Sequence, residues 1–242
     1  MNDDGPNLDS LDDNLRDKLV AAGKAAAGFI PFVGGPLAEI VGAVVPGQRA
    51  DRIAAYLHQL ADRFSALEDH ITSGIAASPP KVDLIEEGGF QAARALSDQR
   101  IRQIVHAVVE GISQSDADII RRKRLLTLLG ELDDDEVALL HAHGQSHKLG
   151  GRLRLRYSDA VDFLSPRENV DREHLFRAGR DHLLRLGLLR KRFPSVRVGQ
   201  LPEFDANAGD FKHAIEVSHP GRILLRDIGL PTPIDAVHSD GC

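Results

Sequence analysis

The chain contains no tryptophan, and among its 242 residues there are only two tyrosines, nine phenylalanines and a single cysteine, Cys242. Because aromatic side chains are scarce, we expect a core of leucine, isoleucine, valine and alanine, a composition that favours helices. One cysteine excludes an internal disulfide bond, which fits a reducing compartment. The first residues are polar and acidic and lack the basic start and apolar run of a secretory signal, so we expect a cytoplasmic protein.

Motifs that mark common enzyme active sites are also missing. The sequence has no phosphate-binding glycine-rich loop ending in Lys-Ser or Lys-Thr, no nucleophile elbow, no HExxH zinc helix and no dinucleotide-binding fingerprint. We therefore expect a protein without catalytic activity and without a cofactor.

Charged residues are nearly absent from residues 19–45, where only Lys24 and Glu39 occur. The segment is long enough to cross a bilayer, but Pro31 and Pro36 interrupt it, and each half is too short to span. We expect a helical hairpin buried in the core; the alternative is a hairpin that inserts into a membrane when triggered. Residues 1–13 hold five aspartates and no basic residue, so we expect a disordered acidic tail there.

The clearest periodicity in the chain predicts one long helix. Its apolar residues recur at spacings of three and four, at Ile53, Leu57, Leu60, Phe64, Leu67, Ile71 and Ile75. Ser78-Pro79-Pro80 is expected to end it. Further helices are predicted over 82–96, from Ser97-Asp98 to 112, and from Ser115-Asp116 to 129. Residues 14–130 are therefore predicted to form a helical bundle.

From residue 131 onward the pattern changes to shorter elements. The acidic residues 133–136 open a short helix over 137–143, because the positive end of the helix dipole favours acids. A longer helix is predicted over 170–186, strand-like residues at 188–192, a polar stretch at 194–210, a strand at 213–218 and a helix at 222–228. This order is typical of a winged helix. We predict a mainly α protein in which the bundle is followed by a winged-helix-like α+β domain over 131–242.

The segment Phe90–Asp98, followed by a helix to Ile112 and a leucine-rich helix leading to Asp133–Glu136, resembles the abortive-infection alpha-type bacterial proteins. The resemblance covers roughly residues 19–140 and includes an apolar N-terminal stretch rich in glycine and alanine. It implies a bacterial protein with a role in phage defence. It carries over no catalytic residue.

Basic residues concentrate in the second half of the chain, and residues 148–197 hold 13 basic against 6 acidic residues, a net charge of +7. In a winged helix, arginines of this kind contact phosphates. The alternative is that they pair with the acidic first half. The candidate DNA-binding residues are Arg152, Arg154, Arg156, Arg177, Arg180, Arg185, Arg190, Lys191 and Arg192.

Three histidines lie close together in the sequence, at His141, His143 and His147. Three imidazoles bind a transition metal if the chain folds around it. No neighbouring cysteine or carboxylate completes a known zinc spacing, however. A polar helix end, where histidines suit the negative pole of the dipole, is the preferred interpretation.

These observations favour a non-catalytic interaction or regulatory protein whose winged-helix part contacts DNA or protein. The alternative is a membrane-active effector whose hairpin at 19–45 inserts on triggering. We expect a protein partner or self-association. Contact with nucleic acid is an alternative. A further alternative is contact with a membrane through residues 19–45, which would add membrane association to a cytoplasmic location.

Overall fold

A computed structural model describes residues 47–65, 75, 77–145, 165–197, 199–206 and 209–235. The chain divides into two compact units between Glu131 and Leu132. It is mainly helical with a small β part, which confirms the predicted mainly α class. No helix within the described ranges is long and apolar enough to cross a membrane. The predicted tail at 1–13 and hairpin at 19–45 lie outside these ranges and stay predictions.

The described part of the first unit contains four helices, each of which packs against at least two others. They span α1 Gly47–Ser65, α2 Pro79–Arg94, α3 Asp98–Ile112 and α4 Asp116–Glu131. Helix α1 packs against α2 and α3, α2 packs against α3 and α4, and α3 packs against α4.

The periodic seam that predicted a long helix forms the buried face of α1. Ile53, Leu57, Leu60 and Phe64 are all at most 5% exposed, and Ile75 is buried as well. Their burial confirms the predicted apolar face, because a stripe at this spacing lies on one side of a helix. The described part of the helix ends at Ser65, and seam positions 67 and 71 lie outside the described residues.

Helix α2 begins earlier than predicted and contains two glycines. Pro79 and Pro80 stand in its first turn, where proline is tolerated because the missing N–H has no helical partner. Gly88 is buried, and a Cβ there would collide with the hydroxyl of Tyr56 and with Val108. The Tyr56 hydroxyl donates a hydrogen bond of 2.9 Å to the Ile85 carbonyl, and burial raises the pKa of this phenol. The glycine therefore permits α1 to approach α2.

The second unit combines helices with two small antiparallel strand pairs. The elements are α5 Asp134–Gln145, α6 Arg167–Arg185, β1 Leu189–Arg192, β2 Phe204–Asp205, β3 Asp210–Phe211, β4 Ala214–Val217 and α7 His219–Asp227. Helix α5 packs against α6, β4 and α7, and α6 packs against β1. Strand β1 pairs with β4, with Leu189 opposite Val217, and β2 pairs with β3, with Phe204 opposite Phe211.

Ser218 joins the strand pair to α7. Its backbone N–H donates to the Leu188 carbonyl at 2.9 Å, and its hydroxyl donates to the Gly187 carbonyl at 2.6 Å. The same hydroxyl accepts the N–H of Gly221 at 3.0 Å, which caps the helix. A Cβ at Gly221 would collide with the Leu188 carbonyl, so this position requires glycine.

Capping residues and apolar periodicity predicted most helix starts to within about three residues of the observed ones. The Ser97 side chain accepts from the N–H of Arg100, as a cap does. Helices α6 and α7 each begin three residues before their predicted starts at 170 and 222. The strand pair β2–β3 was not predicted, because all of it except Phe211 lies in the stretch 194–210 that the sequence marks only as polar.

Candidate interaction surface

Helix α6 carries three predicted DNA-binding arginines, and acidic residues on the same helix balance much of its charge. Arg177 Nε donates to Glu173 Oε1 at 2.8 Å, one turn away. Arg172 pairs with Glu168 at 3.0 Å. The spacing of four residues brings such side chains together on a helix. The outer face of α6 is therefore less positive than its arginine content indicates.

Arg180 and Arg185 have different surroundings. Arg180 is half-buried, and its Nε lies 3.9 Å from Asp181 Oδ1 without a hydrogen-bond partner. Arg185 is exposed in the last turn of α6. None of the ion pairs found in the described part of the chain involves it.

Strand β1 holds the remaining three described candidates, and each has an acidic partner. Arg190 and Arg192 share the carboxylate of Glu216 across the strand pair, at 2.6 and 3.4 Å. Lys191 pairs with Asp210, and its hydrogen bond holds the pKa of that carboxyl below the ordinary value. Exposed pairs of this kind contribute at most about 1 kcal/mol each, so they are easily exchanged for other partners.

The structure brings two of the three predicted metal ligands onto one helix but not onto one side of it. His141 and His143 are two residues apart on α5, which turns their side chains about 200° apart at roughly 100° per residue. Burial lowers the pKa of both, and the charge of Arg180 adds to this effect at His143. Among the described residues no group of three histidine, cysteine or acidic side chains could hold a metal ion. The predicted site residues outside these ranges are Arg152, Arg154, Arg156 and His147.

Glu136, a buried carboxylate between α5 and α6, was not predicted as a site residue. Glu136 Oε2 accepts the N–H of Asp133, and Asp133 Oδ1 accepts the N–H of Glu136, which is a capping box. The other oxygen, Oε1, hydrogen-bonds His182 Nδ1 at 2.7 Å. The sequence predicts that Glu136 belongs to the acidic start of a helix, but it does not predict the hydrogen bond from this side chain to α6.

Large apolar side chains are exposed in the segment that follows β1 and at the first residue of β2. We call this set the apolar loop surface: Phe193 at 46%, Val196 at 45%, Leu201 at 79% and Phe204 at 56% exposure. Single exposed apolar residues are ordinary on a protein surface, whereas contiguous groups of them mark contact sites.

A chain of contacts connects the two ends of the apolar loop surface. The Phe193 ring meets the His213 ring edge-on, with centroids 5.7 Å apart. His213 Nδ1 donates to the Phe211 carbonyl at 2.7 Å. The Phe211 ring in turn meets Phe204 edge-on at 5.5 Å. The aromatic part of the surface is thus held in place by both strand pairs.

Comparison with known proteins adds no relative: no protein-family model, curated protein sequence or solved structure matches the chain. The resemblance to the abortive-infection alpha-type proteins stays a prediction.

Proposed function

We propose that residues 132–242 form a winged-helix-like interaction module and that the chain acts by binding a protein rather than by catalysis. The order of elements supports the first part, because a helix pair is followed by two long-range paired strands, an intervening loop and a closing helix. The packing of α6 on both α5 and β1 agrees with the arrangement of such domains.

The observation that carries protein binding is the charge balance of α6. In a winged helix this element would enter the major groove, and arginines there must be available to phosphates or bases. Here Arg172 and Arg177 already have carboxylate partners on their own helix. The exposed carboxylates of Asp171 and Asp181 lie 3.8 and 3.9 Å from Arg167 and Arg180 and offset two more of its cations. Leu175, by contrast, is 74% exposed on this helix.

DNA contact is the second candidate, and one observation favours it. Arg185 has no ion-pair partner in the described ranges, and the cations of β1 are exposed beyond the end of α6. Exposed ion pairs are weak, so a phosphate could replace Glu216 as the partner of Arg190.

Fluorescence anisotropy with a labelled DNA duplex at low ionic strength separates the two candidates. If the module binds protein, the full chain gives no salt-dependent binding, and replacing Arg177, Arg180 and Arg185 by alanine changes nothing. Binding that weakens steeply with salt, and whose salt dependence is reduced in the triple variant, would establish DNA contact instead, because fewer counterions are then released.

The setting we propose for this module is phage defence, supported by the resemblance in residues 19–140. Plating efficiency of phages on cells with and without the gene tests it, and an unchanged efficiency across a broad phage panel contradicts it. The alternative of a membrane-active effector rests on the composition of residues 19–45. Flotation of the full chain with liposomes tests that alternative, and absence from the floated fraction contradicts it.

A further inference from the structure

Two buried nitrogen atoms on the packed helices α5 and α6 have no hydrogen-bond partner within the described ranges. They are His143 Nε2 and Arg180 Nε. His143 is 8% exposed, and the charge of Arg180 is close enough to lower the pKa of its imidazole. Another such atom, Glu173 Oε2, belongs to a residue seven positions before Arg180, about 10 Å along the helix. Buried polar atoms nearly always have a partner, so we expect a water molecule or an ion beside His143 and Arg180.

The two side chains offer complementary chemistry. The Nε–H of Arg180 is a hydrogen-bond donor on a permanent cation. The His143 ring donates a hydrogen bond to the backbone of Ile215 on β4, and because Nε2 has no partner, Nδ1 is the donor. His143 Nε2 therefore accepts a hydrogen bond when the ring is neutral and donates one when the ring is protonated. An oxyanion can bind both side chains if one proton binds with it.

None of the carboxylates in the described part of the unit hydrogen-bonds either nitrogen. Asp181 Oδ1 lies 3.9 Å from Arg180 Nε, and its side chain is 66% exposed. Glu136 bonds to His182 instead. It is the charge of Arg180 that acts on His143, so the position between them is positive. The buried or half-buried titratable residues on the elements that pack against α5 are Glu173, Arg180, His182, Glu216, Arg222 and Asp227.

From this arrangement we infer that the second unit binds a small oxyanion, a carboxylate or a phosphate, between Arg180 and His143 together with one proton. The Arg180 side chain is 33% exposed, so an anion can reach its guanidinium from solvent. The anion must be small because the imidazole is buried. The inference goes beyond the proposed function, since the ligand is a free anion and not a protein partner.

A single water molecule is the alternative occupant, because water also donates and accepts hydrogen bonds. Water is neutral and leaves the charge of Arg180 acting on His143. An anion offsets that charge and accepts a hydrogen bond from the protonated ring, so it should raise the pKa of His143. The proton affinity of this one histidine therefore separates the two occupants.

NMR titration of the histidine ring signals of the full chain from about pH 5 to about pH 8, the range in which histidine titrates, tests the inference. Sulfate and acetate are the probes, and chloride at the same ionic strength is the reference. The His143→Gln protein assigns the signal. Either probe should raise the proton affinity of His143 about tenfold, and by linkage it should bind about tenfold more tightly to the protonated protein.

Matched arginine variants locate the anion. Arg180→Gln should abolish the effect of sulfate and acetate, and Arg180→Lys, which keeps the charge but lacks the Nε–H, should weaken it. Arg185→Gln is the control, because Arg185 is exposed on the same helix, and this variant should respond like the wild type. Far-UV circular dichroism checks that the variants are folded.

Three outcomes overturn the inference. In the first, the proton affinity of His143 is the same in chloride, sulfate and acetate, which leaves water as the occupant. In the second, a folded Arg180→Gln protein responds to the anions like the wild type. In the third, Arg185→Gln removes the response as fully as Arg180→Gln, which shows that the anions act on the positive charge of the whole helix. None of these outcomes bears on the proposed protein binding, which the DNA experiment tests separately.

Discussion

The two units bury different kinds of side chain. Among the described residues, Arg100 is the ionisable side chain other than Tyr56 that the first unit buries, and it donates a hydrogen bond to the Leu129 carbonyl at 3.2 Å. The second unit buries Glu136, His143 and Glu173 between or beside α5 and α6. Both units have an apolar core, and among the described residues the second buries more ionisable side chains than the first.

Buried polar atoms without a hydrogen-bond partner occur in both units. In the described part of the second unit they are His143 Nε2, Glu173 Oε2 and Arg180 Nε, and in the first unit Gln91 Oε1 is one. Such atoms cost about 1–3 kcal/mol each. In the second unit they belong to ionisable side chains of α5 and α6, so substitutions there act on charge as well as on packing.

The largest effect is expected from charge in the apolar seam. Leu60→Asp, at a residue 1% exposed on α1, should lower the free energy of unfolding of the first unit by about 4 kcal/mol or more, because a buried carboxylate has no partner there. Urea denaturation followed by circular dichroism measures it. Leu96→Asp, at a position 88% exposed, is the control; equal midpoints for the two variants would contradict the apolar seam.

A smaller loss is expected where α1 approaches α2. Gly88→Ala forces a methyl group against the Tyr56 hydroxyl and Val108, which should lower the free energy of unfolding by about 1–3 kcal/mol. Gly179→Ala, on α6, is the control, because its methyl group meets only the Glu136 side chain, at 3.4 Å or more. That variant should be neutral or slightly stabilising, since alanine favours helices. A Gly88→Ala protein as stable as the parent would show that the two helices are not closely packed.

In the second unit, Glu136→Gln should cost about 1–2 kcal/mol. The amide keeps the size of the side chain but weakens both the cap at Asp133 and the bond to His182. Thermal unfolding followed by circular dichroism measures the loss. Glu131→Gln, at an exposed position at the end of α4, serves as control, and equal stability of the two variants would show that the buried carboxylate contributes nothing.

The smallest effect is a pH dependence of the second unit. Burial and the charge of Arg180 lower the pKa of His143 from its ordinary 6.5, so the unfolded state binds a proton at higher pH than the folded state. The stabilisation is fully present above pH 6.5 and is lost as the pH falls toward the folded value. His141, with a pKa lowered in the same direction, adds to the slope.

Urea denaturation at several pH values between 5 and 8 measures this slope. His143→Gln should reduce it, while His174→Gln, at an exposed position on α6, should leave it unchanged. Each unit by which the folded pKa lies below the ordinary value corresponds to about 1.4 kcal/mol. If the free energy of unfolding depends on pH equally in the parent and in the His143→Gln protein, His143 is not the source of the pH dependence.

Features that depend on neighbours in sequence could be predicted. The cap at Ser97, the acidic start of α5 and the apolar face of α1 each follow from residues at most a turn or two apart. The strand pair β2–β3 could not, because Phe204–Asp205 and Asp210–Phe211 are two residues each and are too short to show alternation.

The candidate surface was harder to predict for a related reason. Glu216 lies 26 residues from Arg190 in sequence, so the pairing that occupies the cation depends on strand register. The apolar loop surface is formed by single apolar residues scattered among proline, glycine and polar residues, which carry no periodic signal. Basic composition alone therefore indicated DNA contact, whereas the ion pairs that weaken this interpretation became visible only in the folded chain.

The contacts of Ser218 and Gly221 have a consequence for sequence change. Because these two residues tie β4 and α7 to the carbonyls of Gly187 and Leu188, the alignment of β1 with β4 does not depend on the residues that connect the strands. A shift of one residue would turn Val217 out of the core. We therefore expect insertions in the connection between Phe193 and His213 to leave the register of β1 and β4 unchanged.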